Sequence, residues 1–142
     1  MVHQLSIFIQ NKAGTLEKVL RLFKESRIQI VTTTLADTQD FGIFRVICTE
    51  PERAYLVLKE AGITVTLTQV QAIGLDNTTG QAADALEVFA TEDIEISYLY
   101  SFLLKNRGVL IFKTDNRQRA DEIIAQHKLN VLSDCDLIQL AQ

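Results

Sequence analysis

The residues with the clearest chemical potential lie in Asn11-Lys12-Ala13-Gly14-Thr15-Leu16, an Asn-x-x-Gly turn between an alternating segment and a helical stripe. A turn that leads into a helix leaves backbone N–H groups without partners, which suits an anion such as a carboxylate. The Asn side chain is both donor and acceptor, so it can meet a cationic as well as an anionic group of a small ligand. Asn and Gly recur in Asn77-Thr78-Thr79-Gly80-Gln81-Ala82, at an offset of 66 positions (77 minus 11). The plainer reading is that Asn11 and Asn77 shape the turn or cap the helix, and that Gly14 and Gly80 let the helix approach a sheet.

Tyr98 and Tyr100 lie two residues apart in a strand-like segment and project to one face, with Ser101 on the other; Thr32 and Thr34 hold the matching places in the first half. Tyrosines on one side and threonines on the other would give two unequal pockets; ordinary core aromatics with a hydroxyl at the rim are the alternative. His3 and His127 are far apart and read as packed or helix-end residues. Cys48 and Cys135 form no Cys-x-x-Cys pair, sit in strand-like segments and read as small buried hydrophobes. No nucleophile triad, Gly-rich phosphate loop or carboxylate-rich metal motif appears. The expectation is a protein that is not an enzyme and carries no cofactor.

The elements that must position these residues follow from periodicity. Leu5, Ile7 and Ile9 alternate with Gln4, Ser6 and Gln10 as a strand over residues 3–10, with Phe8 breaking the polar side. Leu16, Val19, Leu20 and Phe23 then form a helix stripe at i, i+3, i+4 and i+7. Residues 28–36 are β-branched and predict a second strand, and Gly42 opens a third through Cys48. Thr49 and Glu52 have capping-box spacing ahead of a helix with the stripe Ala54, Val57, Leu58 and Ala61, and residues 63–69 return to strand.

This βαββαβ order begins again at once. An ungapped slide of the same offset aligns Ile7 with Ile73, Gly42 with Gly108, Arg53 with Arg119 and Val65 with Val131, along with both turn Asn residues and both turn glycines. Asp115 and Gln118 take the place of the capping box. The fold class is α+β: two ferredoxin-like βαββαβ units, each an antiparallel sheet with helices on one face, at residues 1–69 and 70–142. Phe8, Phe44, Val46, Leu67, Leu110 and Phe112 fall on the other sheet face in this register, which predicts a further partner, most simply a second copy of the chain.

Composition excludes several classes. With 14 Lys and Arg against 18 Asp and Glu the net charge is −4, and the basic residues are scattered, which argues against nucleic acid. No apolar run approaches the ~20 residues of a membrane span, so no membrane partner and a cytoplasmic location are expected.

With turn, repeat and topology in hand, the sequence resembles the ACT domains, small regulatory modules of amino-acid metabolism, and most closely the stand-alone proteins made of two such domains. The resemblance spans the chain through Leu5-Ser6-Ile7-Phe8-Ile9-Gln10-Asn11-Lys12-Ala13-Gly14, Asp40-Phe41-Gly42-Ile43-Phe44-Arg45 and Tyr98-Leu99-Tyr100-Ser101-Phe102. It implies a non-catalytic regulatory protein that binds a free amino acid or similar small carboxylate at the interface between its two ACT domains. The ligand would lie against the turn after strand 1 and beside strand 2 of the neighbouring unit. Carried over, this implicates Asn11, Lys12, Ala13 and Gly14, then Asn77, Thr78, Thr79 and Gly80, with Ile30 and Ile96 on the second strands. Ala13 and Thr79 stand where many family members have Pro, which leaves each turn an extra N–H. Tyr98 and Tyr100 opposite Asn11 would mark the better site. The implied partners are an amino acid, a second copy in a homodimer and a client metabolic enzyme. Two alternatives remain: a ligand-independent interaction module assembling with a metabolic enzyme, and a small ferredoxin-like enzyme or metal carrier.

Overall fold

The structure, a computed structural model, describes residues 1–10, 12–37, 40–76 and 80–142. Its contacts divide it into an N-terminal unit, residues 3–68, and a C-terminal unit, residues 69–142 with Met1 and Val2.

In the N-terminal unit the alternating segment is β1 (Val2–Gln10), followed by α1 (Thr15–Glu25), β2 (Ile30–Asp37), β3 (Phe41–Cys48), α2 (Pro51–Glu60) and the start of β4 (Val65–Leu75). The strands run in the order β2-β3-β1, then β4. β3 pairs antiparallel with both β1 and β2, with Leu5 opposite Val46 and Ile7 opposite Phe44. Residues directly opposite share a face, so Phe44 and Val46 join Leu5, Ile7 and Ile9 beneath Val19 and Phe23 of α1 and Ala54 and Leu58 of α2. Leu67 packs against the same core.

The C-terminal unit takes residues 69–75 of β4, then α3 (Gln81–Thr91), β5 (Ile96–Leu104), β6 (Arg107–Thr114), α4 (Arg117–Gln126) and α5 (Asp134–Ala141). β6 lies between β4 and β5, antiparallel to both. Ile73, Leu110 and Phe112 face Phe89, Ala120, Ile123 and Ile124, and the Phe89 and Phe112 rings meet edge to face at 5.0 Å. The expected apolar second face therefore needs correcting. Five of its six residues lie on the helix side, and Phe8, 41% exposed, is the exception. A slip of one residue in assumed register moves a whole strand to the wrong face.

The repeat is visible in backbone detail. Ile9 faces Gly42 as Leu75 faces Gly108, and the pairing of β2 and of β5 shifts at matching places, Ile30/Thr32 and Ile96/Tyr98. All four helices of the repeat end alike. Arg27, Gly62, Asp93 and Lys128 take positive φ, and the next N–H bonds back to Phe23, Leu58, Phe89 and Ile124 at 3.0 Å.

Four further expectations change. The strands foreseen over 63–69 and at the start of the second half are one continuous strand, β4. Neither capping pair forms: α2 starts at Pro51 behind Glu50 with no side-chain cap among the described residues, and Asn116 caps α4 by accepting from the Arg119 N–H at 3.0 Å. The last strand shrinks to a single bridge, Ile73 with Val131. There Ser133 and Asp136 form a reciprocal capping box and start α5, where the first half has Leu67 and Val70 continuing a strand. Cys48 is buried in β3 as expected, but Cys135 lies on α5 and is exposed.

Candidate ligand-binding site

The turn after β1 is built by its own backbone. The Lys12 N–H donates to the Gln10 carbonyl at 2.7 Å, and the Thr15 hydroxyl lies 2.8 and 2.9 Å from the Gln10 and Lys12 carbonyl oxygens. Gly14 is the residue ahead of α1, at φ 88°, and among the described residues no side chain caps the helix. The C-terminal copy repeats this, with Gly80 at φ 89° ahead of α3 and again no side-chain cap. A Cβ at either glycine would meet nothing within 4 Å, so these glycines serve the left-handed backbone and not a close approach of helix to sheet. A helix that begins without a side-chain cap keeps first-turn N–H groups available to an anion.

Lys12, Ala13, Gly14 and Gly80 are all exposed. Asn11, Asn77, Thr78 and Thr79 lie outside the described residues. Ile30 and Ile96 are half-buried and pack against the core of their own units. Tyr98 and Tyr100 are half-buried on one face of β5, opposite Lys113 and Ile111, while Leu99 and Ser101 share the other face with Phe112 and Leu110. Thr32 and Thr34 stand opposite Ile47 and Arg45 in the matching places. His127 ends α4 and is exposed. Among the described residues no group of three or more His, Cys, Asp or Glu could hold a metal ion, and no helix is long and apolar enough to cross a membrane.

Beside each turn is a cleft that the sequence reading missed. In the N-terminal unit the Phe8 N–H donates to the Thr64 carbonyl at 3.0 Å, closing the corner between β1 and the α2–β4 turn. The cleft there measures about 480 Å³ and is lined by Phe8, Ile9, Thr15, Lys18 and Phe41, with Gly62 to Thr64 at one end. In the C-terminal unit the Gly74 N–H donates to Asn130 at 2.8 Å, and a cleft of about 350 Å³ carries Asp76, Gln81, Asp84, Lys128 and Asn130. The Gln81 side-chain oxygen accepts from the Asp76 N–H at 2.5 Å, a contact unlike that of Thr15. The signal available in sequence was Phe8 itself, an aromatic on the polar side of its strand.

Charge differs as well. In α1 the Glu17 carboxylate is taken by Arg21, at 2.5 and 2.6 Å, and holds that guanidinium above its ordinary value by hydrogen bond and charge. Lys18 is left without an ion pair among the described residues.

Two ferredoxin-like units in tandem, each with a helix that no described side chain caps behind a glycine turn and a cleft at the same corner, define the class of protein. The chain belongs to the ACT domain pair family, which it matches over residues 1–141. Among solved structures it is similar to a protein of Bacteroides thetaiotaomicron, 32% identical, covering 96% of this chain and 94% of that one with a TM-score of 0.90. It is also similar to the regulatory subunit of aspartate kinase from Thermus thermophilus in its ligand-free form, 15% identical over 88% and 91% of the two chains with a TM-score of 0.62. The corresponding subunit from Thermus flavus is 15% identical over 89% and 92%, with a TM-score of 0.60. At that identity the likeness is one of fold. No curated protein matches the chain.

Proposed function

We propose that the chain is a regulatory protein and not an enzyme. It binds a free amino acid or a similar small carboxylate at its strand-to-helix turns and passes the occupancy on to a client metabolic enzyme. Its ACT domains are residues 1–69 and 70–142, and it works in the cytoplasm as a homodimer. The observation that carries this reading is the repeated geometry at Gly14 and Gly80, where two helices begin in a turn with left-handed backbone and no described side chain caps them. Membership of the ACT domain pair family supports it, as does the likeness to a regulatory subunit of aspartate kinase. Calorimetry of the full chain against each of the twenty amino acids tests it: a saturable heat from at least one is expected, and no heat from any would sink it.

A second reading, a ligand-independent interaction module, draws on β5, which ends its row of strands and exposes Leu99 and Leu103, 46% and 66% accessible, on one face. Capture of the same enzyme with and without amino acids present would favour it.

A further inference from the structure

The two clefts occupy the same corner of the repeat, but their linings have diverged in a way that selects a ligand. In the N-terminal cleft the buried side chains of Ile9 and Val19 form an apolar floor. Phe8 and Phe41, which leave the sheet on the face opposite Ile9, complete the lining at the strand ends, with ring centroids 6.0 Å apart and 41% and 39% exposed. Two aromatic rings left half in water at one spot carry a hydration cost that an apolar ligand would relieve. Lys18 is the charged side chain in this lining. Its neighbour Glu17 is held by Arg21, and no carboxylate competes for the ammonium among the described lining residues. A volume of about 480 Å³ is within the usual range for small-molecule sites.

At the matching positions the C-terminal cleft has Gly74 for Phe8, Asp76 for Gln10, Asp84 for Lys18 and Lys128 for Gly62. It has lost the ring and gained two carboxylates around one ammonium. The side chain of Asn130 lies where a side chain on Gly74 would go, 2.5 Å from the site of a Cβ. A carboxylate ligand meets the like charge of Asp76 and Asp84 beside Lys128 there, and finds no aromatic side chain among the described lining residues.

We infer that the N-terminal cleft is a binding site for a small monocarboxylate with an apolar or aromatic side chain, its carboxylate at Lys18 and its side chain against Phe8 and Phe41, and that the C-terminal cleft does not take it. The assignment rests on the amino-acid-binding reading and narrows it to one unit and one ligand class. Like charge at Asp76 and Asp84 makes the discrimination repulsive as well as attractive.

The test titrates the full chain with L-phenylalanine, L-leucine, L-aspartate and L-leucinamide by calorimetry, and follows the Lys18 and Thr64 amide signals by NMR. The expected result is one L-phenylalanine or L-leucine per chain, weaker binding of L-aspartate and L-leucinamide, and shifts at Lys18 and Thr64. Loss of a charge-assisted contact in Lys18→Met, which keeps the apolar stem, is expected to weaken binding about tenfold or more. Phe41→Ala weakens it too, and Asp84→Asn leaves it unchanged. Lys18 and Phe41 are both exposed, and circular dichroism confirms that the variants fold. Two equal sites per chain, or unchanged affinity in both Lys18→Met and Phe41→Ala, overturn the cleft while the amino-acid reading stands. Silence toward all twenty amino acids overturns both.

Discussion

The N–H of Gly74 donates to the carbonyl of Asn130 at 2.8 Å, and the side chain of the same asparagine lies over the bare α-carbon of the glycine. One repeat earlier the same backbone bond joins Phe8 to Thr64 at 3.0 Å, with the ring in place of the amide. The two pairs exchange a large residue between partners, so they should be energetically coupled. Gly74→Phe alone is expected to destabilise the protein, and Asn130→Thr in the same chain to recover part of the loss. A double-mutant cycle by urea unfolding should give a favourable coupling of about 0.5–3 kcal/mol, and strict additivity would show the pairs to be independent.

Gly14 and Gly80 hold φ near 90° with open space around the place of a Cβ. Replacement by Ala therefore carries a backbone cost and no clash. Each Ala variant is expected to lose about 1–2 kcal/mol, with similar values at the two sites. Equilibrium unfolding checks this, and a loss well below ~0.5 kcal/mol would mean that the turn relaxes to another backbone.

Lys128 occupies at φ 53° the helix-ending position that Gly62 holds at φ 79° in the first unit. A lysine pays for left-handed backbone where a glycine does not. Lys128→Gly should stabilise the chain by about 1 kcal/mol, less what the glycine adds to unfolded-state freedom. The measurement is the shift in urea midpoint at constant slope.

Asp136 accepts from the Ser133 N–H at 2.8 Å and from its hydroxyl at 3.0 Å, and these bonds hold its carboxyl below the usual carboxylate range, the backbone bond contributing most. A folded value below the unfolded one gives stability that is fully present above the ordinary Asp value of about 3.9 and is lost as pH falls through the lower folded value. Ser133→Ala should raise the Asp136 carboxyl toward its ordinary value and cost about 1 kcal/mol at neutral pH. Carboxyl ¹³C titration follows the first effect and unfolding at pH 7 against pH 2 the second, where the difference between the proteins should shrink.

The two thiols should react unequally. Cys135 is exposed on α5, whereas Cys48 is 3% exposed in β3. A disulfide reagent is expected to modify one thiol per native chain quickly and the second only on unfolding, with Cys135→Ser removing the fast phase. Fast modification of Cys48 would contradict its burial.

The amino-acid sequence by itself determined the tandem repeat, the four helices of the repeat and the glycine turns, because these rest on local properties: a 3.6-residue stripe, a two-residue alternation, and Gly where φ must be positive. Val19 and Phe23, or Ala120 and Ile123, could be placed inward from spacing alone. Tertiary structure decided what depends on distant partners. Whether Phe44 and Val46 face the helices is set by their pairing with Ile7 and Leu5, 37 and 41 positions away, and a slip of one residue reverses it. Ser133 and Asp136 begin a helix where the first half continues a strand, a choice for which alternation elsewhere in the repeat gives no warning. The cleft has the same origin. Phe8, Lys18, Phe41 and Thr64 come from four separate segments, and the pairing of β1 with its neighbours brings them to one corner beside the turn.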